Sequence, residues 1–404
     1  MLHPTNHIFE FNPETLADWC DARRMPGFRA KQILEWVYEK GIADPAQMSS
    51  LSKVDREVLS REMTFLSGKV LRHMQATDGT QKLLVEWDDG NPPPAPPEGV
   101  ADAAIAPTPT LTTSATDPAP GHKRLSLTQA TEAIGDTSRQ TECVMIPAEN
   151  EEGQRRFTAC ISSQVGCPVG CRFCASGLTG LDSNLSAGRI VEQVWQLGRL
   201  EGVRRITNVV FMGMGEPLAN LGAVVPAIRT ITSLWGLGIS ARKITVSTVG
   251  LPKAILKLSE QLDLPVTLAL SLHAPTDEIR RTLIPWAEYT TIADLLAACQ
   301  KWFERTGREI TLEYTLLHGV NDRPEHAHEL ARLAQTLRAN VNLIRYNEVK
   351  GLPFSRPQSE AVHGFQNVLR NKGINAHIRA SRGRDIAAAC GQLRHENAAK
   401  SGSR

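Results

Sequence analysis

The chain has 404 residues and a formal net charge of +2. At 41% hydrophobic and 22% charged it can build a sizeable core across two or three domains. No apolar run of about 18 residues occurs, which argues against a membrane span. The N-terminus MLHPTNHIFEFNPETL lacks the basic-then-apolar pattern of a secretory signal, so a cytoplasmic location is expected. In such a reducing compartment, clustered cysteines read as metal-binding or catalytic rather than as disulfides. The net charge alone points to no partner. From residue 361 onward, however, eight Lys/Arg face only Asp385 and Glu396. That basic tail suits phosphate contacts, and equally a solvated tail that keeps the chain soluble.

Residues 1–75 read as a helical, charge-balanced module. In FRAKQILEWVYEKG, Ile33, Leu34 and Val37 recur at helical spacing after the breaker Pro26-Gly27. A second segment, 76–156, reads as a β-hairpin whose strands are TQKLLVEW and TECVMIP. Its tip, residues 91–140, holds nine of the 24 prolines and no aromatic residue. Such a stretch cannot offset its ordering entropy by burial and is expected to be disordered. From 157 to 350 the pattern becomes strand, loop, helix, repeated. FTACISS, NVVFMG, KITVST, VTLALSLH, REITLEYTLL and VNLIRYN are the six strands. This alternation predicts an α/β fold, a partial (β/α)6 barrel with its site at the C-terminal strand ends. Residues 351–404 form a C-terminal extension.

After the first barrel strand, CPVGCRFC places Cys167, Cys171 and Cys174 at C-x3-C-x2-C spacing. Structural zinc and ferredoxin-type clusters normally take four protein ligands. Three thiolates on one loop leave one iron of a 4Fe-4S cluster open to a small molecule. The rival is a zinc knuckle completed by Cys160 or a histidine. Together with Phe173, the spacing resembles the radical S-adenosylmethionine (SAM) superfamily. That resemblance implies a cluster whose open iron binds SAM. Gly215 and Glu216 of GMGEP look like the element that holds the methionine amino group, where the alternative is a plain turn. Ser247, Ser271 with Leu272 and His273, and Asn347 sit at the ends of successive strands. One polar residue there would be a strand cap; several beside a cluster loop favour a bound cofactor.

Two further cysteines stand apart. Cys160 lies seven residues before Cys167, and Cys390 lies in RGRDIAAACGQLR, bracketed by arginines that favour a thiolate. Buried core is the default for each. Cys20, Cys143 and Cys299 read as core. With FRAKQILEWVYEKG, TECVMIP, FMGMGEPLAN, STVG, LSLHAP and RGRDIAAACGQL in this order, the sequence resembles the RlmN/Cfr family of radical SAM RNA adenine methyltransferases. The likeness spans nearly the whole chain outside 91–140 and the last residues.

The resemblance implies a particular chemistry. Carbon 2 of adenine is electron-poor and cannot attack a methyl cation. One SAM therefore methylates Cys390. A second is cleaved at the cluster to a radical that takes hydrogen from the S-methyl group, and the carbon radical adds to the base. Cys160 then resolves the adduct as a disulfide, and Glu142 matches the proton acceptor, although from sequence alone an exposed strand carboxylate is the default reading there. The implied substrates are 23S rRNA and the adenosine beside the tRNA anticodon, loop bases that can be splayed into a pocket. The N-terminal module and the basic end are the expected RNA grips. A flavodoxin or ferredoxin is the implied electron donor, and a monomer is expected. Two departures bear on the substrate. Arg345 and Glu348 stand where the family usually has prolines, and Asp182 and Ser183 stand in a loop that is usually basic or amide-bearing. Methylation at carbon 8, another RNA target, or a non-catalytic zinc-ribbon RNA-binding protein remain alternatives at this point.

Overall fold

The computed structural model describes residues 1–88, 136–149 and 153–393. The segment read as a disordered insertion lies, over 91–135, outside the described residues, as do residues 394–404 of the basic tail. Residues 136–140 are described: a short 3-10 turn leads into a strand.

Three helices open the chain: α1 (Pro13–Asp21), α2 (Arg29–Leu34) and α3 (Lys53–Glu62). α1 begins with a reciprocal cap. Asn12 Oδ1 accepts from the Thr15 N–H at 2.8 Å, and Thr15 Oγ1 accepts from the Asn12 N–H at 3.0 Å. Pro13 takes the first helical position, where no N–H is needed. α2 continues into a wider π turn, Glu35–Glu39, that buries Trp36 and Val37.

The antiparallel part of the sheet follows: β1 (Gly68–Gln75), β2 (Gln81–Trp87), β3 (Gln140–Glu149) and β4 (Arg155–Cys160). β2 faces β3 as expected, with Leu84 opposite Glu142. β1, however, falls inside the stretch read as helical. It is an edge strand with no buried residue, so it lacks the apolar alternation that marks strands in a sequence. Next, β5 (Gln164–Gly166) and β6 (Leu181–Asn184) form a small sheet of their own that brackets the cysteine loop. The segment around Asp182 and Ser183, read as loop, is therefore strand.

Alternation then sets in. The elements are α4 (Ala187–Leu197), β7 (Asn208–Phe211), α5 (Leu221–Thr232), β8 (Ile244–Thr248), α6 (Pro252–Gln261), β9 (Thr267–Ser271), α7 (Asp277–Leu283), α8 (Ile292–Thr306), β10 (Ile310–Leu316), α9 (Pro324–Ala334), β11 (Ala339–Arg345), α10 (Ser359–Asn371) and β12 (Ala376–Arg379). β4 and β7 to β12 run parallel, giving one ten-stranded sheet in the order β1-β2-β3-β4-β7-β8-β9-β10-β11-β12. The fold is the α/β partial barrel, and its six expected strands are in place. β12 adds a further strand; with Ala376 alone buried, it is too short and polar to show in the pattern.

Glu192 on α4 ties the N-terminal helices to the barrel. Fully buried, it accepts from His7 Nε2 at 3.0 Å, from the Ser67 N–H and Oγ at 2.9 Å each, and from the Gly68 N–H at 2.8 Å.

Candidate active site

The mouth of the barrel holds a cavity of about 900 Å³, solvent space at its opening included. Cys167, Cys171 and Cys174 line it with Gly215, Glu216, Ser247, Ser271, His273 and Cys390. Residues spread over more than 220 positions of sequence thus meet because parallel strands deliver their C-terminal ends to one face.

The cysteine loop is shaped by its backbone. Gly166 and Gly170 take positive φ, 74° and 69°, and the Cys167 N–H donates to Gly180 O at 2.7 Å. Burial pushes all three thiols up, Cys167 to about 12. Several groups oppose that shift: the N–H groups of Val169 and Gly215 face the Cys167 sulfur, and those of Ser176 and Gly177 face the Cys174 sulfur. The buried Arg280 guanidinium acts on Cys171. It is held by Val249 O at 2.6 Å and Leu272 O at 3.3 Å. N–H groups aimed at sulfur and a cation beneath the loop suit bound thiolates. Among the described residues, no three Cys, His, Asp or Glu side chains converge on a single-ion position. A cluster does not need that, since each thiolate holds its own iron. The donor set therefore fits a 4Fe-4S cluster better than a zinc knuckle.

Beside the loop, Gly215 takes φ +103°. A Cβ there would lie 2.7 Å from Gln164 Cβ, so no larger residue fits. Glu216 is buried, with Oε2 accepting from the Val249 N–H at 2.8 Å and Oε1 from the Leu218 N–H at 3.0 Å. Burial raises its carboxyl to about 7 against those hydrogen bonds. Ser247 and Ser271 lie 3.3 Å apart, Oγ to Oγ. His273 has φ +56°, and its Nδ1 accepts from the Thr315 N–H at 3.1 Å, which leaves the ring proton on Nε2. Burial, and Arg280 second, lower its pKa to about 3, so the ring is neutral. Leu272 does not reach the cavity; its side chain is fully buried, and its backbone bridges Glu313 O and Arg280.

A second pocket adjoins the first, with Cys390 on the wall of both. Cys160, at the end of β4, and Asn347 line this second pocket. Asn347 Nδ2 donates to Cys390 O at 3.2 Å. All eight cysteines are free, so the disulfide implied for Cys160 and Cys390 is absent from this state. Burial raises the Cys160 thiol, Cys390 adds to the rise, and Arg379 opposes it. Cys20, Cys143 and Cys299 are buried, as their sequence setting predicts.

Glu142 differs from the exposed carboxylate considered as its alternative. It is buried and pairs with the buried Lys82 at 2.8 Å. Lys82 Nζ also donates to Ala387 O at 3.0 Å, which links the pair to the Cys390 loop. Glu142 lines neither pocket. Sequence reading missed Lys82, Arg280, Glu313 and Arg379. Lys82 and Glu313 are charged residues inside largely apolar strands, and that mismatch was the available signal; Arg280 and Arg379 sit in polar segments that gave none.

No helix among the described residues is long and apolar enough to cross a membrane. Residues 161–332 match the radical SAM superfamily model, and residues 6–65 match that of the ribosomal RNA large subunit methyltransferase N-terminal domain. A "probable dual-specificity RNA methyltransferase RlmN" of Rhodopirellula baltica is 37% identical over 390 residues, 96% of this chain and 91% of the relative. Its namesake in Gloeobacter violaceus is 38% identical over 393 residues, 97% and 96% of the two chains. The crystal structure of a radical SAM methyltransferase from Sphaerobacter thermophilus superposes with a TM-score of 0.80 at 36% identity, covering 96% of this chain and 99% of that one. Both segments match in order and the likeness runs nearly end to end: the chain belongs to the RlmN-type radical SAM RNA methyltransferases.

Proposed function

We propose that the protein methylates carbon 2 of an adenosine in 23S rRNA and of the adenosine beside the tRNA anticodon, with Cys390 as the methyl carrier. One observation carries the reading: Cys390 lies on a wall shared by two cavities, one holding the three loop cysteines and the other Cys160. A carrier needs that position, because it must meet the cofactor on one side and the resolving thiol on the other. The relatives' name, a dual-specificity RNA methyltransferase, supports the pair of RNA substrates.

Cys167, Cys171 and Cys174 would hold the 4Fe-4S cluster, and Gly215, Glu216, Ser247, Ser271 and His273 would hold SAM; Asn347, expected among the SAM contacts, lines the second pocket instead. The cluster and SAM together supply the one-electron cleavage that yields a hydrogen-abstracting radical. The chain does the rest. Cys390 takes the methyl group as a thiolate and presents it, with Asn347 fixing its backbone carbonyl. The Cys160 sulfur attacks that of Cys390, and the disulfide forms as the sulfur–methylene bond breaks. The electron pair stays with the base-bound carbon, which takes up a proton to become the methyl group. An external thiol reduces the disulfide for the next cycle. Glu142 would accept the ring proton: it lies outside both pockets, but its partner Lys82, 2.8 Å away, holds Ala387 O of the Cys390 loop. Loaded with cluster and given reductant, SAM and unmodified RNA, the protein should yield 2-methyladenosine on digestion and mass analysis. A methyl group on carbon 8 alone, or none, would overturn the reading.

A further inference from the structure

Next to Cys160 and Cys390 lies a set of hydrogen-bond donors with few acceptors. The second pocket, about 510 Å³ with its solvent opening, is lined by Arg379 at the end of β12 and by Ser381 and Arg382 just beyond it. The single hydrogen bond of Arg379 among the described residues runs from Nη1 to the Met212 thioether at 3.2 Å, a weak acceptor. Among the described residues it makes no ion pair with a carboxylate; Cys390 acts on it most, ahead of Glu313 and Cys160. The Ser381 hydroxyl is buried and has no partner. Arg382 is exposed and makes no hydrogen bond among the described residues. Asp78, the acid that feels its charge, already accepts from the Thr80 and Gly383 N–H groups at 3.0 Å each.

These donors are held in place. Asp385 Oδ2 accepts from the Thr77 N–H at 2.9 Å, and Asp78 Oδ2 holds the Gly383 N–H. Lys82 and Asn347 grip Ala387 O and Cys390 O from the other side. Two guanidinium forks and a hydroxyl on a clamped loop make a wall suited to an acceptor-rich anion. A phosphodiester has acceptors only, a negative charge, and a geometry that the guanidinium fork matches. A base edge or a ribose would bring donors of its own.

We propose that this pocket is a phosphate subsite, in which Arg379, Ser381 and Arg382 receive a phosphodiester of the RNA strand that presents its adenosine to Cys390. The proposal rests on the reading of the protein as an enzyme of RNA. It assigns to the pocket the grip that fixes the strand while one nucleotide is drawn toward the cysteines.

The test is a fluorescence-anisotropy titration of the cluster-loaded holoenzyme. The probe is a labelled anticodon stem-loop RNA with an unmodified adenosine 3′ to the anticodon, measured over a series of KCl concentrations. Arg382→Gln and Arg379→Gln should each reduce the slope of log K against log salt by about 0.7 to 1. Affinity near physiological salt should fall roughly fivefold for each. Ser381→Ala should weaken binding with the slope unchanged, since it removes a neutral donor. Iron content and SAM affinity should match the wild type in all three, which shows that each variant is folded. Wild-type slopes and affinities in all three variants would overturn the subsite. Slower alkylation of Cys390 by iodoacetamide in Arg379→Gln, with RNA binding intact, would overturn it too and make Arg379 the counter-ion of a thiolate. A wild-type holoenzyme that does not bind the stem-loop would instead remove the RNA reading itself.

Discussion

Cys160 and Cys390 line the same pocket without being bonded, and the proposed roles use them in turn. Cys160→Ala should leave RNA attached to Cys390 through a link that survives denaturing electrophoresis. Finding only free RNA in that variant, with the cluster intact, would count against Cys160 as the resolving thiol. His273 offers a test by titration. Burial and Arg280 depress its pKa to about 3, below its value near 6.5 in an unfolded chain. The folded state therefore binds fewer protons than the unfolded one between those values. Stability from this residue is present above pH 6.5 and is lost as pH falls toward 3, by up to about 5 kcal/mol. His273→Asn keeps an acceptor and tolerates the left-handed backbone. Its denaturation midpoint should fall less steeply than that of the wild type between pH 6.5 and 4; equal slopes would mean that the ring is charged in the fold. At this scale, most cavity residues were legible because a cysteine loop and polar strand ends are conspicuous in sequence. The partners were not: that Lys82 would bury itself against Glu142, or that Arg379 would turn toward two thiols, depends on strands far apart in the chain.

Glu192 shows what one helix can do for the assembly of elements. From α4 it accepts five hydrogen bonds, counting that from Gln196 Nε2 at 2.8 Å, and four of the donors belong to the N-terminal segment around His7 and Ser67. Glu192→Leu would leave those buried donors unpaired at a cost of roughly 3 kcal/mol or more. A urea-denaturation shift below about 1 kcal/mol would mean that apolar contacts alone dock the N-terminal helices. The six barrel strands could be read because each is a β-branched or apolar run between helices. β1 could not, having no buried face. β6 could not either, because its pairing with β5 is set by the turns of the cysteine loop and not by any apolar pattern. The N-terminal helices were recognisable as helical, while the surface they cover became visible only with Glu192 in place.

For the molecule as a whole, sheet order explains why a chain of 404 residues has one reactive mouth. β4 and the parallel strands β7 to β12 all end on the same side, and the C-terminal segment returns across that mouth. The Ala175 N–H donates to Gly391 O at 2.8 Å, and Ser176 Oγ donates to Leu393 O at 2.6 Å, so the Cys390 loop is tied to the cysteine loop itself. Even so, the proposed carrier and the proposed cluster ligands are separate groups: Cys390→Ala should retain iron and sulfide but lose all RNA methylation, whereas Cys171→Ala should lose the cluster. Loss of iron in Cys390→Ala would mean that the ligands are misassigned. The central claim is that Cys390 carries the methyl group, and one spectrum tests it. Trypsin should release DIAAACGQLR, residues 385–394, from protein made in cells. The account predicts that Cys390 in this peptide is about 14 Da heavier, the mass of one added methylene unit. An unmodified Cys390 in cluster-loaded protein supplied with SAM would contradict it.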